Sequence, residues 1–178
     1  MSRVTRAQLI HRAAVAREAR HAVNVAFKAG LRARDPVAYE VLLVDWRKKL
    51  TAAYPADSLY LAQRIDAHDS DAIEQAVIYI EADPWVFRSG YFKDHLLRRL
   101  RRATLTEHQR ERLRVALLAV VDMHDRRKFR RYCRLANALA NDDFRAKLDQ
   151  RASAANPDRG QRRRANWMLA ALPPVPQA

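Results

Sequence analysis

Apolar residues recur along this chain at three- and four-residue intervals, and no stretch alternates in the manner of a strand. Over residues 4–33, Leu9, Ala13, Ala16, Val23, Phe27 and Leu31 mark one face of a 3.6-residue period. The spacing predicts a long first helix, with Gly30 a weak point near its end. Asp35-Pro36 then predicts a restart, because aspartate caps a helix and proline at the first helical position gives up no hydrogen bond. This second helix is expected to run to about Tyr54 and to bury Tyr39, Leu42, Leu43, Trp46 and Leu50.

Pro55 breaks the pattern, and Asp57 or Ser58 is the expected cap of a short helix carrying Leu59, Leu61, Ala62 and Ile65. His68, Asp69, Ser70 and Asp71 form a capping turn before a helix over 71–82 with Ile73, Ala76, Val77 and Ile80 inward. Asp83-Pro84 repeats the earlier restart signal. Ser89-Gly90 is expected to separate a short turn around Trp85 and Phe87 from a helix over 91–103. Thr106 and Gln109 make a capping box, which fixes the start of a helix burying Leu113, Ala116, Leu117, Val120 and Val121 and stopping near His124. Helices are expected over 126–140, over 143–154 after the cap Asn141-Asp142, and from the cap Asn156-Pro157 to Leu172.

The pattern therefore predicts an all-α protein of about eight helices, built as stacked antiparallel hairpins in a solenoid or as an irregular bundle. One domain is expected over 1–172, with the basic helix of 1–34 packed on the body and the proline-rich 173–178 a frayed tail. A length of 178 residues suits one domain burying about 70% of its unfolded surface, and only three glycines leave little material for hairpin turns or phosphate loops.

Charge changes the picture. The formal net charge of +14 favours an anionic partner: nucleic acid, a membrane surface or an acidic protein. It is also segregated. Residues 1–34 carry eight Lys/Arg against one acid, residues 35–87 four against ten, and residues 88–134 fifteen against five. Part of this asymmetry is expected to be satisfied internally, with the first helix lying near the acidic section. The arginine-rich, acid-poor beginning also faintly resembles a transit peptide, but it reads equally as an ordinary helix, so a cytoplasmic protein is expected. No run of 18 apolar residues predicts a membrane span.

Three segments share a motif: Asp69 to Ile80, Asp83 to Tyr91 and Asn156 to Leu169. The last has an acidic-proline turn, an early arginine and then small and leucine positions, and it resembles the second helix of a HEAT repeat. The resemblance covers roughly residues 57–172, with irregular spacing and Gln75 where the first segment needs the arginine. It implies a short right-handed solenoid that binds protein or nucleic acid, and in one branch of the family base excision from DNA. It carries no catalytic residue over to this chain.

Candidate chemistry is sparse. Histidines 11, 21, 68, 95, 108 and 124 have no ligand spacing, the single Cys133 excludes an intrachain disulfide or thiolate cluster, and Cys133 falls on an apolar face with Phe129 and Ala136. No cofactor or metal is expected, and a non-enzymatic protein is the leading expectation. An enzyme acting on nucleic acid would need a carboxylate among the arginines, for which Asp94, Glu107 and Asp122 are the candidates.

The basic stripes are the sharper signal. Arg88, Tyr91, His95, Arg98, Arg99 and Arg102 gather on one side of a helix whose other side holds Phe92, Leu96, Leu100 and Ala103. On the helix after next, Arg126, Arg127, Arg130, Arg131 and Arg134 span an arc of roughly 140° at about 100° per residue. Phe129, Tyr132, Cys133, Ala136, Leu139 and Ala140 fill the opposite side, and Arg159 and Arg163 are candidates to extend the surface. Guanidinium forks bind phosphate in two-point fashion, and Tyr91 or Trp85 offers a face to a base. The expected function is polyanion binding by a helical-repeat protein, nucleic acid first. The alternatives are an adaptor or bacterial immunity-type inhibitor recognising an acidic protein, favoured by the acidic section, and the glycosylase-type enzyme. Helical phase leaves open whether the two stripes join or are separate solvated faces.

Overall fold

The computed structural model describes residues 4–55, 57–123, 129–153 and 155–174. These form ten helices and no strand: α1 (Arg6–Lys28), α2 (Leu31–Arg34), α3 (Pro36–Ala52), α4 (Ser58–Asp66), α5 (Ser70–Ala82), α6 (Ser89–Leu100), α7 (Glu107–Asp122), α8 (Phe129–Leu139), α9 (Asp142–Ala152) and α10 (Arg159–Leu169). None is long and apolar enough to cross a membrane.

The chain stacks in two layers. Helices α4, α6, α8 and α10 touch in succession on one side, and α1, α5, α7 and α9 touch in succession on the other. Neighbours in sequence pack across the layers, as α4 on α5 and α9 on α10 do. The interior holds Leu61, Ile73, Val77, Leu96, Leu117 and Leu135, among others.

Local signals account for most helix starts. Thr5 with Gln8 and Thr106 with Gln109 both form complete capping boxes, and Asp35, Asp69 and Asn141 accept backbone N–H groups of the helices they precede. The last helix starts later than its Asn156-Pro157 signal. Asp158 is the cap, accepting from the Gln161 N–H at 2.9 Å, while Asn156 accepts from the Asp158 N–H and so builds the turn before it.

Asp83-Pro84 also differs from expectation. Asp83 ends α5 in the left-handed region at φ 42°, which aspartate tolerates better than most residues, and its carboxylate accepts from Lys93 Nζ at 2.6 Å. An extended turn follows, and Arg88 at φ 64° leads into α6, so Ser89 and Gly90 lie inside that helix. The Tyr54 hydroxyl donates to the Phe87 carbonyl at 2.6 Å and pins the turn from outside. The rings of Tyr54, Tyr79 and Phe92 support it from below, with Tyr79 and Phe92 meeting edge-on at 4.9 Å.

The N-terminal helices are shallower than the periodicity implies. In α1, Leu9, Ala13, Ala16, Ala19 and Val23 are buried, but Phe27 is exposed and leans on Tyr39. Tyr39, Leu42, Leu43, Trp46 and Leu50 of α3 are only half-buried, because α3 packs on α1 and α2 alone. Leu59 of α4 is exposed as well. Each of these residues sits at the outer end of the stack, where no further helix of the described residues covers it.

Candidate functional site

Two helices of the same layer bring the stripes together. Arg98, Arg99, Arg101 and Arg102 from α6 and its C-terminal turn face Arg131 and Arg134 from α8 across a cleft of about 340 Å³. Its floor includes Leu97, and the only acid on its wall among the described residues is Asp66, from the end of α4. The local reason is the division of each helix. Leu96, Leu97 and Leu100 anchor one side of α6, while Tyr132, Cys133, Leu135, Ala136 and Leu139 anchor α8, so the remaining positions have only the cleft or solvent to face.

The six guanidinium groups have different partners. Arg99 Nε donates to Asp66 and to the Ala62 carbonyl, both at 3.1 Å. Arg131 Nε lies 2.8 Å from Asp94, and Arg98 lies 3.4 Å from the same carboxylate and 3.3 Å from the His95 ring. Asp94 is buried, and the two arginines flank it like a clamp between α6 and α8. Arg101, Arg102 and Arg134 make no ion pair among the described residues, and all three are exposed. The cleft wall thus carries six arginines against the one carboxylate Asp66 among the described residues, and even with the adjoining buried Asp94 counted, a strong positive excess is left.

The other expected residues fall in different places. Arg88 and Tyr91 line a second hollow of about 290 Å³ at the start of α6, with Trp85 and Tyr132. Its wall also carries Asp94 and the buried Lys93, whose ammonium pairs with Asp83. Arg130 lies on α8, exposed and away from the cleft wall. Arg159 and Arg163 are not among the residues lining the cleft, and the helix that carries them, α10, packs on α7, α8 and α9. Arg163 instead covers the Trp167 ring at 5.0 Å. Arg126 and Arg127 lie outside the described residues.

A third hollow, of about 540 Å³, has no counterpart in the sequence-level expectation. Arg17, Arg20, His21 and Asn24 of α1 line it with Trp46 of α3 and Phe87 of the turn. Arg20 and Arg88 both lie against the Phe87 ring, at 4.8 and 5.4 Å. One signal for it was present: Arg17, Arg20, His21 and Asn24 share an α1 face by their three- and four-residue spacing.

Other arginines of the same sequence region are structural. Arg112 of α7 donates to both oxygens of Glu81 and to Glu74, and these bonds, Glu81 first, raise its pKa further above the ordinary guanidinium value despite burial. Arg114 is buried, donating Nε to the Leu139 carbonyl at the end of α8 and bonding Glu107 and Glu111. Arg164 donates to the Val121 carbonyl at the end of α7 at 2.7 Å. The first helix does lie against the acidic section, on α3 and α5, while Asp66, Glu74, Glu81 and Asp83 of that section pair with α6 and α7.

Of the candidate acids, Asp94 alone pairs with arginines of the cleft, Arg98 and Arg131, and it lines the hollow at the start of α6 rather than the cleft wall. Glu107 pairs with Arg114, and Asp122 is held by Arg151 and Gln161. Burial of Cys133 pushes its thiol up to about 11, so it is protonated and inert near neutral pH. No protein-family model, curated protein or solved structure matches this chain.

Proposed function

We propose that this protein is a cytoplasmic, non-enzymatic helical-repeat protein that binds a polyanion, nucleic acid foremost, in the cleft between α6 and α8. The observation carrying the reading is the convergence of six arginines from two helices on one cleft, three of them without an acidic partner among the described residues. Protein folding does not need exposed guanidinium groups at 101, 102 and 134, whereas phosphate does. The two-layer succession of helices supports the HEAT-like reading of the repeat. The fate of the acidic section supports nucleic acid over an acidic protein, because Glu74, Glu81, Asp66 and Asp83 are engaged within the fold.

The test is a titration of single- and double-stranded nucleic acid across a salt series. Each phosphate contact contributes a slope of about 0.9 for duplex and about 0.7 for single strand in log affinity against log salt. Arg102→Ala and Arg134→Ala are each expected to flatten that slope by about one contact. Affinity independent of salt, or unchanged by both substitutions, refutes the reading.

A further inference from the structure

The arginine cleft is not isolated. Its floor residue Leu97 also lines the hollow at the start of α6. That hollow in turn shares Trp85, Val86 and Arg88 with the hollow against α1. Three depressions therefore adjoin in a row, and their chemistry alternates. One end is arginine from α6 and α8. The middle presents Trp85 at 65% and Tyr91 at 59% exposure, with the buried Tyr132 and with Arg88, Lys93 and Asp94 also on its wall. The other end is Arg17, Arg20 and His21 beside Trp46 and Phe87.

Large aromatic rings this exposed lose free energy in water unless something covers them. Here they occur between two cationic ends. A duplex offers phosphates but keeps its bases stacked inside, so the rings between the cationic ends would gain nothing from it. A single strand offers both groups in alternation, and a stacked base is recognised through its π-face whatever its identity. The turn that carries Trp85 is also held firmly. Asp83 and Arg88 are both in the left-handed region, the Val86 N–H donates to the buried Ser89 hydroxyl at 3.2 Å, and the Tyr54 hydroxyl holds the Phe87 carbonyl. A ring fixed before binding loses little freedom when a base stacks on it.

We infer that the row of three hollows is a track for single-stranded nucleic acid, with phosphates at the two arginine-bearing ends and unstacked bases against Trp85 and Tyr91 between them. This rests on the polyanion reading of the α6–α8 cleft and extends it to a substrate class and to residues of α1.

The test uses the full chain and three fluorescently labelled probes: oligothymidylate, an abasic oligomer of the same length, and a duplex. The normal single strand is expected to bind about tenfold or more tightly than the abasic one, which has the same phosphates without bases. Trp85→Ala is expected to lower oligothymidylate affinity about tenfold, leave the abasic probe unchanged and preserve the salt slope. Trp85→Phe keeps a π-face and is expected to restore most of the loss, which separates stacking from a folding defect. Arg20→Ala is expected to weaken oligothymidylate and abasic binding alike. Equal binding of normal and abasic strands, or indifference of all three probes to Trp85→Ala, overturns the track while leaving polyanion binding standing. Failure to bind any probe overturns both.

Discussion

Arg112 on α7 and Arg102 at the end of α6 belong to the same arginine-rich section, yet the fold treats them oppositely. Arg112 is enclosed by two glutamates from α5 and holds the odd-numbered layer together. Arg102 faces open cleft with no acidic partner among the described residues. The difference lies in what each helix packs against. Helix α7 lies on α5, the most acidic neighbour available, while α6 turns its charged side toward α8, which is itself arginine-lined. Sequence charge therefore overstates the exposed charge. Among the described residues, arginines such as Arg112 and Arg114 tie helices together while Arg101, Arg102 and Arg134 face solvent, and only the second group is open to an anion.

The comparison breaks most sharply under substitution. Arg112→Met strands Glu74 and Glu81 in a part-buried site and is expected to destabilise the fold by about 3 kcal/mol, read as a lower urea midpoint. The same assay on Arg102→Ala is expected to show a change within about 0.5 kcal/mol, with the loss appearing in nucleic-acid affinity instead. If the two variants exchange behaviour, the division is wrong.

Next comes the combined Arg101→Ala, Arg102→Ala, Arg134→Ala variant. It is expected to flatten the single-strand salt slope by about 2 and leave the thermal midpoint nearly unchanged. Arg131 is the intermediate case, since it lines the cleft and also clamps Asp94. Arg131→Ala is expected to cost about 1 kcal/mol of stability and several-fold in affinity together, measured on the same preparation.

The smallest effect concerns pH. Burial works to raise the Asp122 carboxyl, but its bonds to Arg151 and Gln161 outweigh this and hold its pKa below the ordinary value. Its contribution is therefore present above about pH 4 and lost as pH falls through the depressed folded value. The carboxylate is part-exposed and screened, so Asp122→Asn is expected to flatten the acid limb of the stability curve by no more than about 1 kcal/mol.

Much of this was legible in the sequence. The division of α8 into Phe129, Tyr132, Cys133, Ala136 and Leu139 against Arg130, Arg131 and Arg134 follows from helical phase alone, as does the start of α7 at Thr106. The sequence did not separate Arg112 from Arg102, because the glutamates that decide the matter lie 31 and 38 residues away and only packing brings them near. Nor did it separate Asp35-Pro36 from Asp83-Pro84. The same dipeptide begins α3 in one place and follows the end of α5 in the other, depending on whether the aspartate reaches forward to the Ala38 N–H or sideways to Lys93. The α1 hollow was missed because its basic face and the turn that completes it are far apart in the chain.

The shallow seating of α3 has a consequence for how the molecule opens. This helix packs on α1 and α2 and reaches the body chiefly through Trp46, whose ring meets Phe87 edge-on at 5.9 Å. With no fully buried residue of its own, its amides are expected to exchange with deuterium long before those of α5, as a separate cooperative unit. Lifting that unit would remove Trp46 and Leu50 from the α1 hollow while the arginine cleft between α6 and α8 stayed assembled.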